Sequence, residues 1–208
     1  MAKSKLIKNL TTDEVSLENT LERLLIITNA LEDPKVTNWI LNEIKGYENK
    51  TNLPNYRKIQ SMNIKYDGIN GNLQIKNAPL PITHFPKEIR DEISEVSVIQ
   101  GISVVEKIIK NNYESKYDLT AFAPWVYKET GIQCLSITHY LSIALYEKIY
   151  NEVRIKVIQI LLDLEKEFGN LDNLDINMGV LSDEKIENVN NNIVSIISDG
   201  KEIKLNED

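Results

Sequence analysis

Asp33 to Arg57, DPKVTNWILNEIKGYENKTNLPNYR, decides how the chain is read. Asp33 supplies a side-chain acceptor where a helix N-cap needs one. Pro34 follows at the first helical position, where a missing N–H costs nothing. Val36, Trp39, Ile40 and Ile44 recur at helical spacing and make one apolar stripe, with Glu43 as the polar interruption on the same side. Trp39 lies on that stripe and reads as a core anchor. Gly46 suits the left-handed residue that stops a helix. Leu53-Pro54 then breaks regular structure, and Tyr56-Arg57 opens an extended run.

Working outward, Ser16 to Leu31 has the same helical character: Leu17, Leu21, Leu24, Leu25, Thr28 and Leu31 mark one side, Glu18, Glu22 and Arg23 the other. Two helices joined as tightly as these, through Asp33-Pro34, fold as a hairpin or corner. On the other side, Ile59, Met62, Ile64 and Tyr66 lead through Asp67-Gly68-Ile69-Asn70-Gly71 to Leu73, Gln74 and Ile75, which predicts a β-hairpin at about 59–76. Asn77-Ala78-Pro79-Leu80-Pro81 reads as a rigid extended connector. Phe85-Pro86 opens a helix with Ile89, Ile93 and Val96. The series Ile99, Ile102, Val105, Ile108 and Ile109 continues the period, with Gln100-Gly101 as an undecided break.

Further on, Leu119 to Tyr127 (LTAFAPWVY) is apolar and aromatic, with Pro124 set against a simple helix across it. A short β-like run surrounds Cys134. From His139 to Phe168 no proline or glycine interrupts a helical apolar period, so the longest element starts at Ser136 or Thr138 and runs on the order of 45 Å. After Gly169 the chain turns polar and Asn-rich, with a short helix near Ser182–Asn188. Ile193-Val194-Ser195-Ile196-Ile197 and Ile203-Lys204-Leu205 flank Asp199-Gly200 and read as a second hairpin. Branched side chains on both of its faces need cover from the chain's own core, from the first hairpin or from another copy, and the last makes residues 193–205 a candidate for self-association.

The fold class is therefore mainly α (α+β): a helical domain over 1–168 with a long C-terminal helix and a small β-hairpin insertion, then a polar tail over 169–208 ending in a short hairpin. The 208 residues suffice for one full core. With 24 Lys and Arg against 31 Asp and Glu, the net charge of −7 implies no general nucleic-acid binding. Lys3, Lys5 and Lys8 at the N-terminus, and Arg57, Lys58 and Lys65 along the hairpin, are local basic stretches that read as solvated faces. A single cysteine fits a reducing compartment. No apolar run approaches a membrane span and Met1–Leu10 lacks a signal-peptide core, so the chain reads as soluble and cytoplasmic, with no membrane partner.

Several of these patterns, taken in order, resemble the AbiTii domain family of bacterial abortive-infection and phage-defence proteins. They are Trp39-Ile40-Leu41-Asn42-Glu43-Ile44-Lys45-Gly46-Tyr47, Leu53-Pro54-Asn55-Tyr56-Arg57, Asn77-Ala78-Pro79-Leu80-Pro81, the Gln100-Gly101-Ile102 step with Glu106, Tyr150-Asn151-Glu152-Val153-Arg154, and Leu161-Leu162-Asp163-Leu164-Glu165. The resemblance spans about residues 10–168. It implies a helical domain linked to antiviral defence and carries no catalytic residue set. The motifs put forward Trp39, Glu43, Tyr47, Tyr56, Arg57 and Arg154 as a binding set. Glu43 and Arg154, one on each principal helix, read first as an ion pair fixing helix register.

Candidate chemistry is sparse. Cys134 and His139 would need to meet in space to act as nucleophile and base, and Cys134 sits in an apolar run that suits an inert thiol. His84 reads as a loop residue. Two histidines and one cysteine do not make a zinc site by spacing. Glu147, Glu152, Asp163, Glu165 and Glu167 alternate with Lys148, Arg154, Lys156 and Lys166, the pattern of an ion-paired helix surface. No Gly-rich loop sits between a strand and a helix, so no phosphate cradle is expected. No cofactor and no metal are expected. The function implied is a defence protein acting through a protein partner or self-association. The alternatives are a toxin-like effector enzyme such as a nuclease with an unrecognised acidic site, and an oligomerisation module.

Overall fold

In the computed structural model, which describes residues 3–180 and 182–198, the segment from Asp33 forms the expected capped helix, whereas Tyr56 and Arg57 sit in a 3-10 turn and the extended run begins only at Lys58. The Asp33 carboxylate accepts from the Lys35 and Val36 amides at 2.7 and 3.3 Å, and Gly46 ends the helix at φ +95°. The helices are α1 (Lys5–Thr11), α2 (Leu17–Thr28), α3 (Pro34–Lys45), α4 (Lys87–Ser94), α5 (Ile102–Lys110), α6 (Ala123–Thr130), α7 (Ile143–Phe168) and α8 (Asp183–Ile197). The strands are β1 (Lys58–Gln60), β2 (Ile64–Asn70), β3 (Leu73–Pro79), β4 (Glu95–Ser97), β5 (Ser115–Asp118) and β6 (Gln133–Leu141). The α+β class read from the sequence is the class observed.

By their contacts the residues divide into two units. The first comprises Met1–Pro54, Ile99–Glu106 and Ile149–Asp208, the second Asn55–Val98 and Lys107–Lys148. The first unit is helical. Ser16 caps α2 by accepting from the Asn19 amide, and Leu17, Leu21, Leu24 and Ile27 are buried. Val36, Trp39 and Ile40 of α3 are buried with them, as are Ile149, Val153, Val157, Ile160, Leu161 and Leu164 of α7. Beyond Gly46 the backbone is stitched to the Ile99–Gly101 segment: Tyr47 N–H donates to Ile99 O at 2.8 Å, and Gly46 bridges Gln100. A Cβ on Gly101 would lie 2.3 Å from Ile44 O, so only glycine admits this approach.

The second unit holds the β structure. β1 and β4 pair as a small antiparallel ladder, and a four-stranded antiparallel sheet runs β3-β2-β6-β5. Its inner face packs Ile64, Tyr66, Cys134 and Ile137 against Leu80, Phe85, Ile93 and Val126. The register shifts beside Asp67 on both flanks of β2. On β6, Leu135 is the residue in excess and stays 58% exposed, so that Cys134 and Ile137 can both face inward. On β3, Asn77 takes up the shift at φ +53°. Asp67 satisfies both irregularities by accepting from Asn77 N–H at 2.6 Å and from Ser136 Oγ at 3.3 Å.

Several sequence expectations need correction. The hairpin is β2–β3 over 64–79, not 59–76: Ile59 belongs to β1, and Asn77-Ala78-Pro79 is strand rather than connector. Gly68 lies inside β2, and the turn is Gly71-Asn72. Gln100-Gly101 does separate two helices, with β4 between them. Pro124 does not prevent a helix; it sits in the first turn of α6, where its ring is tolerated. The longest helix begins at Ile143, because β6 extends through His139 to Leu141. Its 26 residues span about 39 Å. Ile193–Ile197 is the last turn of α8, not a strand, with Val189, Ile193 and Ile197 buried at helical spacing. The rest of the expected hairpin, from Asp199 on, lies outside the described residues.

Candidate interaction surface

α6 carries the most distinctive surface of the second unit. Its residues alternate around Val126, which is fully buried. The neighbours on either side of Val126 cannot follow it inward, since successive helical residues turn by about 100°. Trp125 and Tyr127 are accordingly 50% and 58% exposed. Gly131, at φ +73°, ends the helix by donating to Tyr127 O at 2.8 Å, and Thr130 Oγ1 ties the turn by donating to Val126 O at 2.7 Å. Trp125 leans on Phe122, ring centroids 5.8 Å apart, and Phe122 meets the buried Phe85 edge-on at 6.1 Å. On the other flank, Ala123, Pro124 and Tyr127 form a cleft of about 390 Å³ with Gln133 and Cys134 of β6. Exposed aromatic side chains beside an open, largely apolar cleft offer a surface on which an apolar group could be held.

The motif residues lie elsewhere and are inward. Trp39, Glu43 and Tyr47 of the first unit are 7%, 0% and 6% exposed; Tyr56 and Arg57 of the second are 9% and 0%. Tyr47 Oη donates to Glu43 Oε1 at 2.7 Å. Arg57 Nη1 donates to Val98 O at 3.0 Å, while Val98 N–H donates to Arg57 O at 3.0 Å. These side chains fix local structure. The Glu43–Arg154 ion pair does not form: Arg154 Nη2 instead donates to the Leu10 and Thr11 carbonyls and to Asp13 Oδ1, at 2.9, 3.3 and 2.9 Å.

The candidate nucleophile and base are also apart. Cys134 and His139 lie on one strand, five positions from each other, which puts them roughly 15 Å apart. Burial pushes the Cys134 thiol up, keeping it protonated. His139 is buried with Nε2 2.9 Å from Ser61 Oγ, and burial lowers its pKa against the opposing effect of Ser61. His84 ends a short 3-10 turn. Three of the five α7 acids are tied to neighbouring cations: Glu152 to Lys156 at 3.5 Å, Glu165 to Lys3 at 2.8 Å, Glu167 to Lys166 at 3.3 Å. Among the described residues no group of three or more His, Cys, Asp or Glu side chains is placed to hold a metal ion.

Sequence reasoning missed Trp125 and Tyr127 as surface residues. The signal was present: Pro124 in a first helical turn followed by the Gly131 stop defines a short helix whose two aromatics straddle one apolar residue. Neither a curated protein nor a solved structure matches the chain. One family model does, over residues 4–193, nearly the whole chain. The chain belongs to the AbiTii family.

Proposed function

We propose that this chain is a cytoplasmic antiphage defence protein of the abortive-infection type that acts by recognising another protein through the α6–β6 surface. Family membership supports the defence role. The observation that carries the recognition role is Tyr127, half-exposed on the wall of the 390 Å³ cleft beside Pro124 and Cys134. Aromatic side chains on rigid elements give large contact area for little lost freedom, and they dominate interface energetics.

The test is phage challenge of cells carrying the defence locus with Tyr127→Ala. Removing a side chain this exposed changes stability by less than about 1 kcal/mol, so expression and melting temperature stay near wild type. The expected result is loss of protection by at least tenfold in plating efficiency. Full protection by a normally folded variant would rule the surface out.

A further inference from the structure

The two strands flanking β6 cover it unequally. β2 pairs with it from Gln133 to His139, whereas β5 pairs only from Thr138 to Leu141. One further bond extends the shorter ladder: Leu119 N–H donates to Ile137 O at 2.8 Å. Thr120 then closes it off. Its Oγ1 accepts from Ile137 N–H at 3.0 Å where a strand would offer a carbonyl, and its amide turns back to Asp118 Oδ1 at 2.8 Å. The chain leaves through a 3-10 turn into α6. Among the described residues no strand pairs with residues 133–135 on the β5 side.

The backbone groups of β6 have a direction. Ile137 turns its N–H and C=O to the β5 side, and Tyr140, whose N–H donates to Asn63 O at 2.9 Å, turns to the β2 side. Such groups alternate along a strand. The extra residue, Leu135, resets the alternation by one place. The Cys134 amide and carbonyl therefore look out on the side that β5 leaves uncovered. Cys134 is also the point where the edge meets the cleft, which it lines with Gln133, Ala123, Pro124 and Tyr127. Its strand neighbours Gln133 and Leu135 are both exposed.

Taking the α6–β6 surface as the recognition site, we propose that it holds an extended segment of the partner protein, added to β6 as a short strand. The main chain of that segment pairs with Cys134, and one apolar side chain enters the cleft against Pro124 and Tyr127. An uncovered strand edge selects extended backbone, because that conformation presents N–H and C=O at the matching spacing. A second copy of this chain is the poorer occupant. The described outer strands are guarded, β3 by Lys76, the left-handed Asn77 and Pro79, and β5 by its length of four residues. The cleft of about 390 Å³ is at the small end of ligand pockets, with room for one side chain and its backbone rather than for a sheet.

Panning a yeast-displayed library of random linear peptides against the full chain supplies the probe. Retained peptides are synthesised unmodified and with one backbone N-methyl group moved along the sequence, and affinity is read by fluorescence anisotropy. Binding should be lost with Tyr127→Ala. At one residue N-methylation should weaken binding roughly tenfold, the loss of a donor to Cys134 O. The residues on either side, whose N–H groups point away from β6, should tolerate it. The Cys134 amide should become protected from hydrogen exchange in the complex. Peptides that need Tyr127 yet show no such single position, or leave Cys134 exchange unchanged, would overturn the added strand while leaving the surface as a recognition site. A library with no peptide dependent on Tyr127 would overturn it as well. So would light scattering that shows the wild type dimeric and Tyr127→Ala monomeric, which assigns the edge to a second copy. Recognition itself is judged separately, by the phage challenge of Tyr127→Ala.

Discussion

Gly68 and Gly71 show how much a single residue's surroundings matter. A Cβ on Gly68 would fall 2.2 Å from Gln133 O, at the place where β6 and β3 both slip register around Asp67. Gly71 meets nothing within 4 Å and needs glycine only for its φ of +60°. Gly68→Ala should therefore cost about 1–3 kcal/mol by forcing backbone apart, and Gly71→Ala about 1 kcal/mol through its strained φ. Urea denaturation compares the two; equal midpoints would contradict the account of the double bulge. The sequence made the caps readable, because Asp33, Pro34 and Gly46 act through their own backbone neighbours. It did not make Gly68 readable, because the demand for glycine there comes from Gln133, remote in the chain. Glu43 and Arg154 went unresolved for the same reason: nothing local says that Arg154 turns to the end of α1.

At the scale of elements, α7 and α1 carry the sharpest predictions. Leu161 is fully buried on the α7 stripe, and Leu161→Ala should cost about 2–5 kcal/mol; an unchanged melting temperature would place it on the surface. Glu165 gives a pH dependence. Burial alone would raise its pKa, but the Lys3 ammonium and then the Ser4 hydroxyl and amide outweigh that and hold it at about 2, against an ordinary 4.5. A carboxyl whose pKa is lowered in the folded state contributes stability that is complete above its ordinary value and is lost as pH falls from 4.5 through 2. Acid should thus weaken the hold of Glu165 on α1 as pH falls through that window. Glu165→Gln should flatten the dependence of α1 amide hydrogen exchange on pH, once corrected for intrinsic rates; an unchanged slope would assign the sensitivity elsewhere.

Elements with a clean period were legible: α2, α3 and most of α7 came from apolar spacing and caps. The β6–α7 boundary was not, because the run without proline or glycine from His139 onward hides the strand alternation of Ile137, His139 and Leu141 behind the helical period that follows. Ile193–Ile197 misled for a related reason. A run of branched residues resembles a buried strand, yet the spacing Val189, Ile193, Ile197 is helical, and Lys156 Nζ caps the last turn by reaching Ile196 O at 2.6 Å. The sheet has its own safeguards against pairing with another copy: Lys76, the left-handed Asn77 and Pro79 along β3, and the short, charged β5.

For the molecule as a whole, what was legible was the class and the family; the exposed aromatic surface of α6 was not. The aromatics of α6 were visible as a cluster, but exposure depends on which of them Phe122 and Val126 displace outward, and that is set by packing on Phe85 and β6. The net charge of −7 offers no general electrostatic attraction to nucleic acid, and among the described residues no helix is long and apolar enough to cross a membrane. The central claim is that the α6–β6 surface meets another protein during defence. Its most direct measurement is site-specific photo-crosslinking in infected cells, from Lys128 on the exposed side of α6 and, as control, from exposed Lys35 on α3. The account predicts a discrete crosslinked protein from position 128, absent from position 35 and abolished, together with protection, by Trp125→Ala or Tyr127→Ala. The same products from both positions, or a crosslink and protection that survive both substitutions, would contradict it.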